Sequence, residues 1–238
     1  MYSESNTTPF ILFPSIPALF PALKNHLATS EGFAPPLHIA RYIHSSNFLG
    51  FGRQQKDYSL HLFKIFTMKF YFDDPDVGLA PETSHPNFVK NLTHDLYYDC
   101  VDDFSPFGND DGADALSELE SWYRDTKGKD DIMQWLFEYI DSMGFKYSSE
   151  STYMVVDIDV IQKLLTEDEF FLRCMDNTII ATAFGQYKIT GKLDDRLLKA
   201  ALISFNRLVL ITSSEHTPYI EEFSKAYDMM RSDLTSLK

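Results

Sequence analysis

The chain has 238 residues, 44% hydrophobic and 15% aromatic, enough apolar side chain to bury a core, which argues against a disordered protein. Its formal net charge of −14 and its acidic isoelectric point disfavour a general nucleic-acid binder and adhesion to anionic lipid, because both need a basic surface. Cys100 and Cys174 are the two cysteines; they show no metal-ligand spacing and read as reduced thiols of a cytoplasmic protein.

Charge divides the chain. Residues 1–67 hold five Lys/Arg and three Asp/Glu, and residues 68–238 hold 16 and 32. In the first part Pro9, Pro14, Pro17 and Pro21 interrupt the apolar run Phe10 to Leu23, which argues against a membrane helix. Glu4 and the lack of Lys or Arg before that run argue against a signal peptide. Gly50-Phe51-Gly52 reads as a plain turn. The composition break at Met68 predicts that 1–67 is an irregular extension upstream of the natural start, and that 68–238 is an acidic, mainly helical domain.

Met68 to Phe72 alternates apolar and polar and predicts a short strand before a turn at Asp73-Asp74-Pro75. Ser84-His85-Pro86 marks a helix start, and Phe88, Val89, Leu92 and Leu96 continue at helical spacing. An acidic, turn-rich stretch from Asp99 to Asp114 follows. Asn109, Asp110 or Asp111 can cap the helix carrying Leu116, Leu119 and Tyr123, with Trp122 beside them. After a break at Gly128, Asp130 can cap a second helix with Ile132, Leu136, Ile140 and Met143 inward and Gly144 as its stop. The short connection predicts that these two helices pair antiparallel.

Residues 145–153 read as a polar link. Val160, Ile161, Leu164 and Leu165 mark a short helix. Thr166 to Glu169 fits a capping box before Phe170, Phe171, Cys174 and Met175; Ile179, Ile180, Ala183, Phe184 and Tyr187 then form another face, ending near Gly191. Ala181 and Gly185 would admit a close neighbour. Asp194 starts a helix with Leu197, Leu198, Ala201, Leu202, Phe205 and Leu208 inward. Thr217-Pro218 starts the last, with Ile220, Phe223, Tyr227, Met230 and Leu234 inward. The fold class is therefore mainly α: a compact multi-helix domain with at most one or two short strands.

The run Asp102-Asp103-Phe104-Ser105-Pro106-Phe107-Gly108-Asn109-Asp110-Asp111-Gly112-Ala113-Asp114, preceded by His85-Pro86, resembles the YfeS-like group of uncharacterised bacterial proteins. Ala183 to Lys192 adds to the likeness, which covers about residues 68–235. The resemblance implies no particular activity.

Three constellations carry candidate chemistry. The first is the acidic surface Asp99, Asp102, Asp103, Asn109, Asp110, Asp111 and Asp114. As an EF-hand it fails: with Asn109 at loop position 3, Phe107 falls at position 1, where a ligand is needed. It reads as a helix cap and acidic turn offered to a basic partner. The second sets His85, His94 and Asp103 as ligands of a divalent metal; more simply, His85 belongs to a turn and His94 to a polar helix face. The third is Trp122, Tyr123, Trp135 and Tyr139, which read as core at helical spacing, with a ligand pocket as the alternative. The stretch lacks a Gly-x-Ser-x-Gly, Walker or dinucleotide motif. The expected function is a non-enzymatic acidic protein-binding or regulatory domain, such as one that neutralises a basic toxin, without a cofactor; the alternative is a metal-dependent enzyme using the acidic loop with His85 or His94.

Overall fold

Every residue from Thr178 to Gly191 is buried, and the helix that contains them organises the rest. The computed structural model of the protein describes residues 69–213 and 218–237. The extension expected over 1–67 and the helix start expected at Thr217 lie outside the described residues. Eight α-helices occur among them: α1 (Pro86–Asn91), α2 (Asp110–Thr126), α3 (Ile132–Ser142), α4 (Ser149–Thr152), α5 (Ile158–Glu167), α6 (Glu169–Thr190), α7 (Asp195–Ser213) and α8 (Ile220–Ser236). The fold is mainly α, as the periodicity predicts.

Helix α6 is the centre. A helix apolar on one stripe lies at a surface, whereas one covered on all sides must be wrapped by other helices. Helices α2 and α7 make the largest contacts with α6; α5, α1 and α3 also pack on it, and α8 packs on α7. Where α2 crosses, a Cβ on Gly185 would stand 2.9 Å from Leu119 Cδ2 and 3.3 Å from Leu116 Cδ1. The small residue is thus what lets the two leucines seat against the α6 backbone.

Caps set most boundaries. Asn109 accepts from Gly112 N at the start of α2, and Gly144, at φ +80°, follows the end of α3. Two caps differ from expectation by a few residues. Asp131, not Asp130, caps α3, accepting from Met133 N and Gln134 N. Asp168 alone caps α6, while the Thr166 hydroxyl donates back to Gln162 O within α5, so no capping box forms there. The link at 145–153 contains the short helix α4, held because Asp141 Oδ1 accepts from Ser149 N at 2.8 Å.

No strand forms among the described residues; an isolated bridge joins Asp74 and Gly78. Where the strand is expected, residues 69–72 instead form part of a clasp over the C-terminal end of α6, and Met68 lies outside the described residues. Helix ends leave carbonyls without intrahelical donors, and this segment supplies them. Tyr71 N donates to Ile189 O at 3.0 Å, His85 N to Lys188 O at 2.8 Å, and Asn87 Nδ2 to Gly191 O at 3.2 Å. Gly191 closes the helix at φ +67°, and a Cβ there would lie 2.2 Å from the His85 ring, so only glycine fits both the left-handed turn and the imidazole resting on it.

Two ion pairs are buried in this core. The Lys188 ammonium meets Glu120 Oε1 at 3.0 Å and Asp73 Oδ1 at 2.8 Å, and Asp73 N donates to Glu120 Oε1 at 2.8 Å. This ties the clasp to α2 and α6. Arg207 of α7 pairs with Asp176 of α6 and donates to Tyr153 O at 2.9 Å and Val155 O at 3.0 Å, pinning the chain after α4 to the core.

Candidate functional site

From Asn91 to Tyr123 the chain carries nine Asp or Glu and no Lys or Arg. Folding gathers part of this charge into one self-bonded loop. His94 begins it by capping the 3-10 turn Asp95–Tyr98, its Nδ1 accepting from Leu96 N at 3.2 Å. Asp99 Oδ1 then accepts from Val101 N at 2.8 Å and Asp102 N at 3.0 Å, an Asx turn; these bonds hold the Asp99 carboxyl below the usual carboxylate range. Asp102 Oδ1 accepts from Phe104 N at 2.9 Å. The loop doubles back so tightly that a Cβ on Gly108 would lie 2.0 Å from Asp102 O. Phe107 is buried and anchors it to the core.

The predicted surface residues fall into three groups. Asp99, Asp103, Asp110 and Asp114 are exposed, and no ion pair to them forms among the described residues. Asp102 and Asn109 are half-buried and hold the loop's own backbone. Asp111 is turned towards α6, its Oδ2 accepting from Asn177 Nδ2 at 3.1 Å. Because residues 110–126 are helical from Asp110 onward, this stretch has helix where an EF-hand would have loop.

Asp102, Asp103 and Asn109 form one wall of a cleft of about 1110 Å³ whose other walls include Asn177 of α6 and Phe223 of α8. His94 also lines it. His85 does not: it sits at the opposite end of α6, on Gly191, about 20 Å along the helix from Asn177. Its Nδ1 accepts from Asn87 N at 3.0 Å, capping α1, and burial followed by the Lys69 charge lowers its pKa. The structure therefore does not bring His85, His94 and Asp103 together, and among the described residues no group of three His, Cys, Asp or Glu side chains is arranged to hold a metal ion. Both imidazoles were read as polar turn or helix-face residues; both prove to be N-caps, a role the sequence hinted at only for His85.

Both cysteines are free. Burial, and then Asp111, push the Cys174 thiol up to about 12, which keeps it a thiol rather than a nucleophilic thiolate at neutral pH. The sequence did not foretell this contact between α2 and α6, because 63 positions separate the two residues.

The aromatic constellation divides as well. Tyr123 is core, its hydroxyl accepting from Gln186 Nε2 at 3.3 Å. Trp122, Trp135 and Tyr139 are only half-buried. Trp122 meets Trp135 with ring centroids 5.6 Å apart, and Trp135 stacks on Tyr139 at 5.6 Å with planes 2° apart. Burial and then the charges of Asp114 and Glu118 push the Tyr139 phenol up to about 12. The two helices touch through these rings, but each packs mainly on α6 and not on the other.

Over 144 residues the chain is 40% identical to the uncharacterised protein YfeS of Escherichia coli (strain K12), an overlap covering 60% of this chain and 57% of that protein. This overlap supports the resemblance to the YfeS-like group, and the chain spans somewhat over half the length of that relative. No family model and no solved structure matches the chain. No helix among the described residues is long and apolar enough to cross a membrane.

Proposed function

We propose that this chain is a non-enzymatic, cytoplasmic binding domain that engages a basic protein through the acidic surface centred on Asp99 to Asp114. The observation that carries the reading is the exposure of Asp99, Asp103, Asp110 and Asp114 without a cationic partner among the described residues, on a loop held rigid by its own hydrogen bonds. A rigid anionic surface attracts a cationic partner over several ångströms and loses little freedom on binding it. A regulatory or toxin-neutralising role fits such a surface, whereas a nucleic acid would be repelled by it.

The test uses fluorescein-labelled hexa-arginine and the full chain, read by anisotropy. Replacing Asp99, Asp103 and Asp110 together by Asn keeps the turn and cap geometry and removes three charges. Binding is expected to weaken roughly 3- to 100-fold, the sum of three rim charges worth a few tenths to 1 kcal/mol each, with the melting temperature little changed. Equal affinity for the substituted and unsubstituted chains would refute the assignment of this surface.

The competing proposal, a metal-dependent enzyme using the same loop with His85 or His94, makes a different forecast. A bound divalent ion would raise the melting temperature by mass action. The binding reading expects the same unfolding curve in EDTA and with Ca, Mg, Mn or Zn added back, and a large rise specific to one metal would favour the enzyme.

A further inference from the structure

Two adjoining stripes of α2 and α3 carry an aromatic surface with an acidic edge. On α2, Asp114, Glu118 and Trp122 recur every four residues, so they lie on successive turns of one face. On α3, Trp135 and Tyr139 do the same, and their rings lie parallel. The contact between Trp122 and Trp135 joins the stripes into one ladder. Its rings are partly exposed, while Asp114 and Glu118 are exposed and form no ion pair among the described residues. At the opposite end Arg196 and Lys129 share a pocket with Trp122, and Arg196 meets Asp131 Oδ2 at 2.9 Å and Asp194 Oδ2 at 2.8 Å.

We infer that the ladder Trp122–Trp135–Tyr139, with Asp114 and Glu118 at its edge, is a docking surface for arginine side chains of a basic protein partner. A core would enclose these rings, as it does Tyr123; here three large aromatic side chains are left partly in water next to carboxylates. Guanidinium matches both features at once. It is planar and stacks on aromatic faces, its charge is attracted by the ring quadrupole, and its N–H groups fit a carboxylate. Lysine offers the charge but not the flat face, so arginine is preferred. The closeness of the carboxylates to the ladder is supported by their effect on the Tyr139 phenol. This inference rests on the reading of the chain as a binder of basic proteins and names the part of its surface that discriminates among them.

The chain contains two tryptophans, and both lie in the ladder, so intrinsic tryptophan emission reports on this surface alone. Full-length protein is titrated with fluorescein-labelled hexa-arginine for anisotropy, and with unlabelled hexa-arginine for emission, at about 0.15 M salt, where weak long-range attraction is screened. Hexa-lysine is the comparison peptide. A saturable change in tryptophan emission is expected, with the same midpoint as the anisotropy and tighter for hexa-arginine than for hexa-lysine. The pair Asp114→Asn and Glu118→Gln is expected to weaken it roughly tenfold, the loss of two exposed carboxylate partners. Both tryptophans remain in that variant, so its emission and melting temperature before peptide is added show that the ladder is intact. Anisotropy that rises while tryptophan emission stays constant would overturn the ladder and leave the acidic-loop reading standing. An emission change that survives the Asp99, Asp103 and Asp110 substitutions but not those at Asp114 and Glu118 would support the ladder and overturn the loop. Absence of any binding would overturn both, and equal responses to hexa-arginine and hexa-lysine would overturn the preference for guanidinium.

Discussion

Arg207→Met is expected to lower the unfolding free energy by about 3–5 kcal/mol, the range seen when one member of a buried ion pair is removed. The Arg207 side chain is 2% exposed and that of Asp176 0%, so water cannot replace the guanidinium. The substitution also leaves the carbonyls of Tyr153 and Val155 without their donor. Burial pushes the Asp176 carboxyl up, and Arg207 is the main group opposing that shift; without Arg207 most of the opposition is lost. A carboxyl whose folded pKa exceeds its unfolded value is least costly below the unfolded value, and its cost grows as pH rises towards the folded one. Chemical denaturation should therefore show a larger difference between the variant and the unsubstituted chain at neutral pH than near about pH 4. Adding Asp176→Leu to the variant is expected to recover much of the loss, since an apolar pair of similar volume avoids the desolvation altogether. A loss under about 1 kcal/mol, or one that does not vary with pH, would contradict this account of the pair.

Lys188→Met is expected to cost about 3 kcal/mol, nearer the lower end for a broken buried pair, because Glu120 keeps Arg124 at 2.8 Å. Its more telling effect is local. Lys188 joins Asp73 of the clasp to Glu120 of α2, so its loss should loosen residues 69–87 before the rest unfolds. Amide exchange at Tyr71 and His85, whose N–H groups cap Ile189 and Lys188, is expected to speed up well ahead of exchange in the middle of α6. Uniform acceleration along the chain would mean that the lysine supports global stability and not the clasp.

The local signals were legible. Asn109, Gly144 and Gly191 mark helix ends through side-chain oxygens or left-handed backbone, which depend on a few neighbouring residues. The apolar faces of α2, α7 and α8 follow from spacing alone. What spacing could not show is that α6 is buried on every side from Thr178 onward, because Asp176 just before that point, and Gln186 and Lys188 beyond it, interrupt its apolar pattern. Their partners Arg207, Tyr123 and Glu120 lie 31, 63 and 68 positions away, and no local rule pairs residues at that range. Met68 to Phe72 misled for a related reason. Its alternation suits a strand, but the carbonyls available to Tyr71 N belong to a helix end.

The acidic surface was partly legible. The stretch that holds it was plain from composition, and Asn109 as a cap from helix chemistry. That Asp111 turns inward to Asn177 while Asp103 and Asp110 stay in water depends on where α6 lies. The partial exposure of the ladder has the same origin. Trp122 and Trp135 have core spacing, yet α6 seats Leu116 and Leu119 and leaves the tryptophans at the rim.

The central claim, an acidic domain that holds a basic partner, is tested most directly by isothermal titration of the full chain with hexa-arginine at about 0.15 M salt, against hexa-glutamate at the same ionic strength. The account predicts saturable binding of the cationic peptide, weakened by added salt, and no heat with the anionic one. Equal heats for both peptides, or none for either, would contradict it.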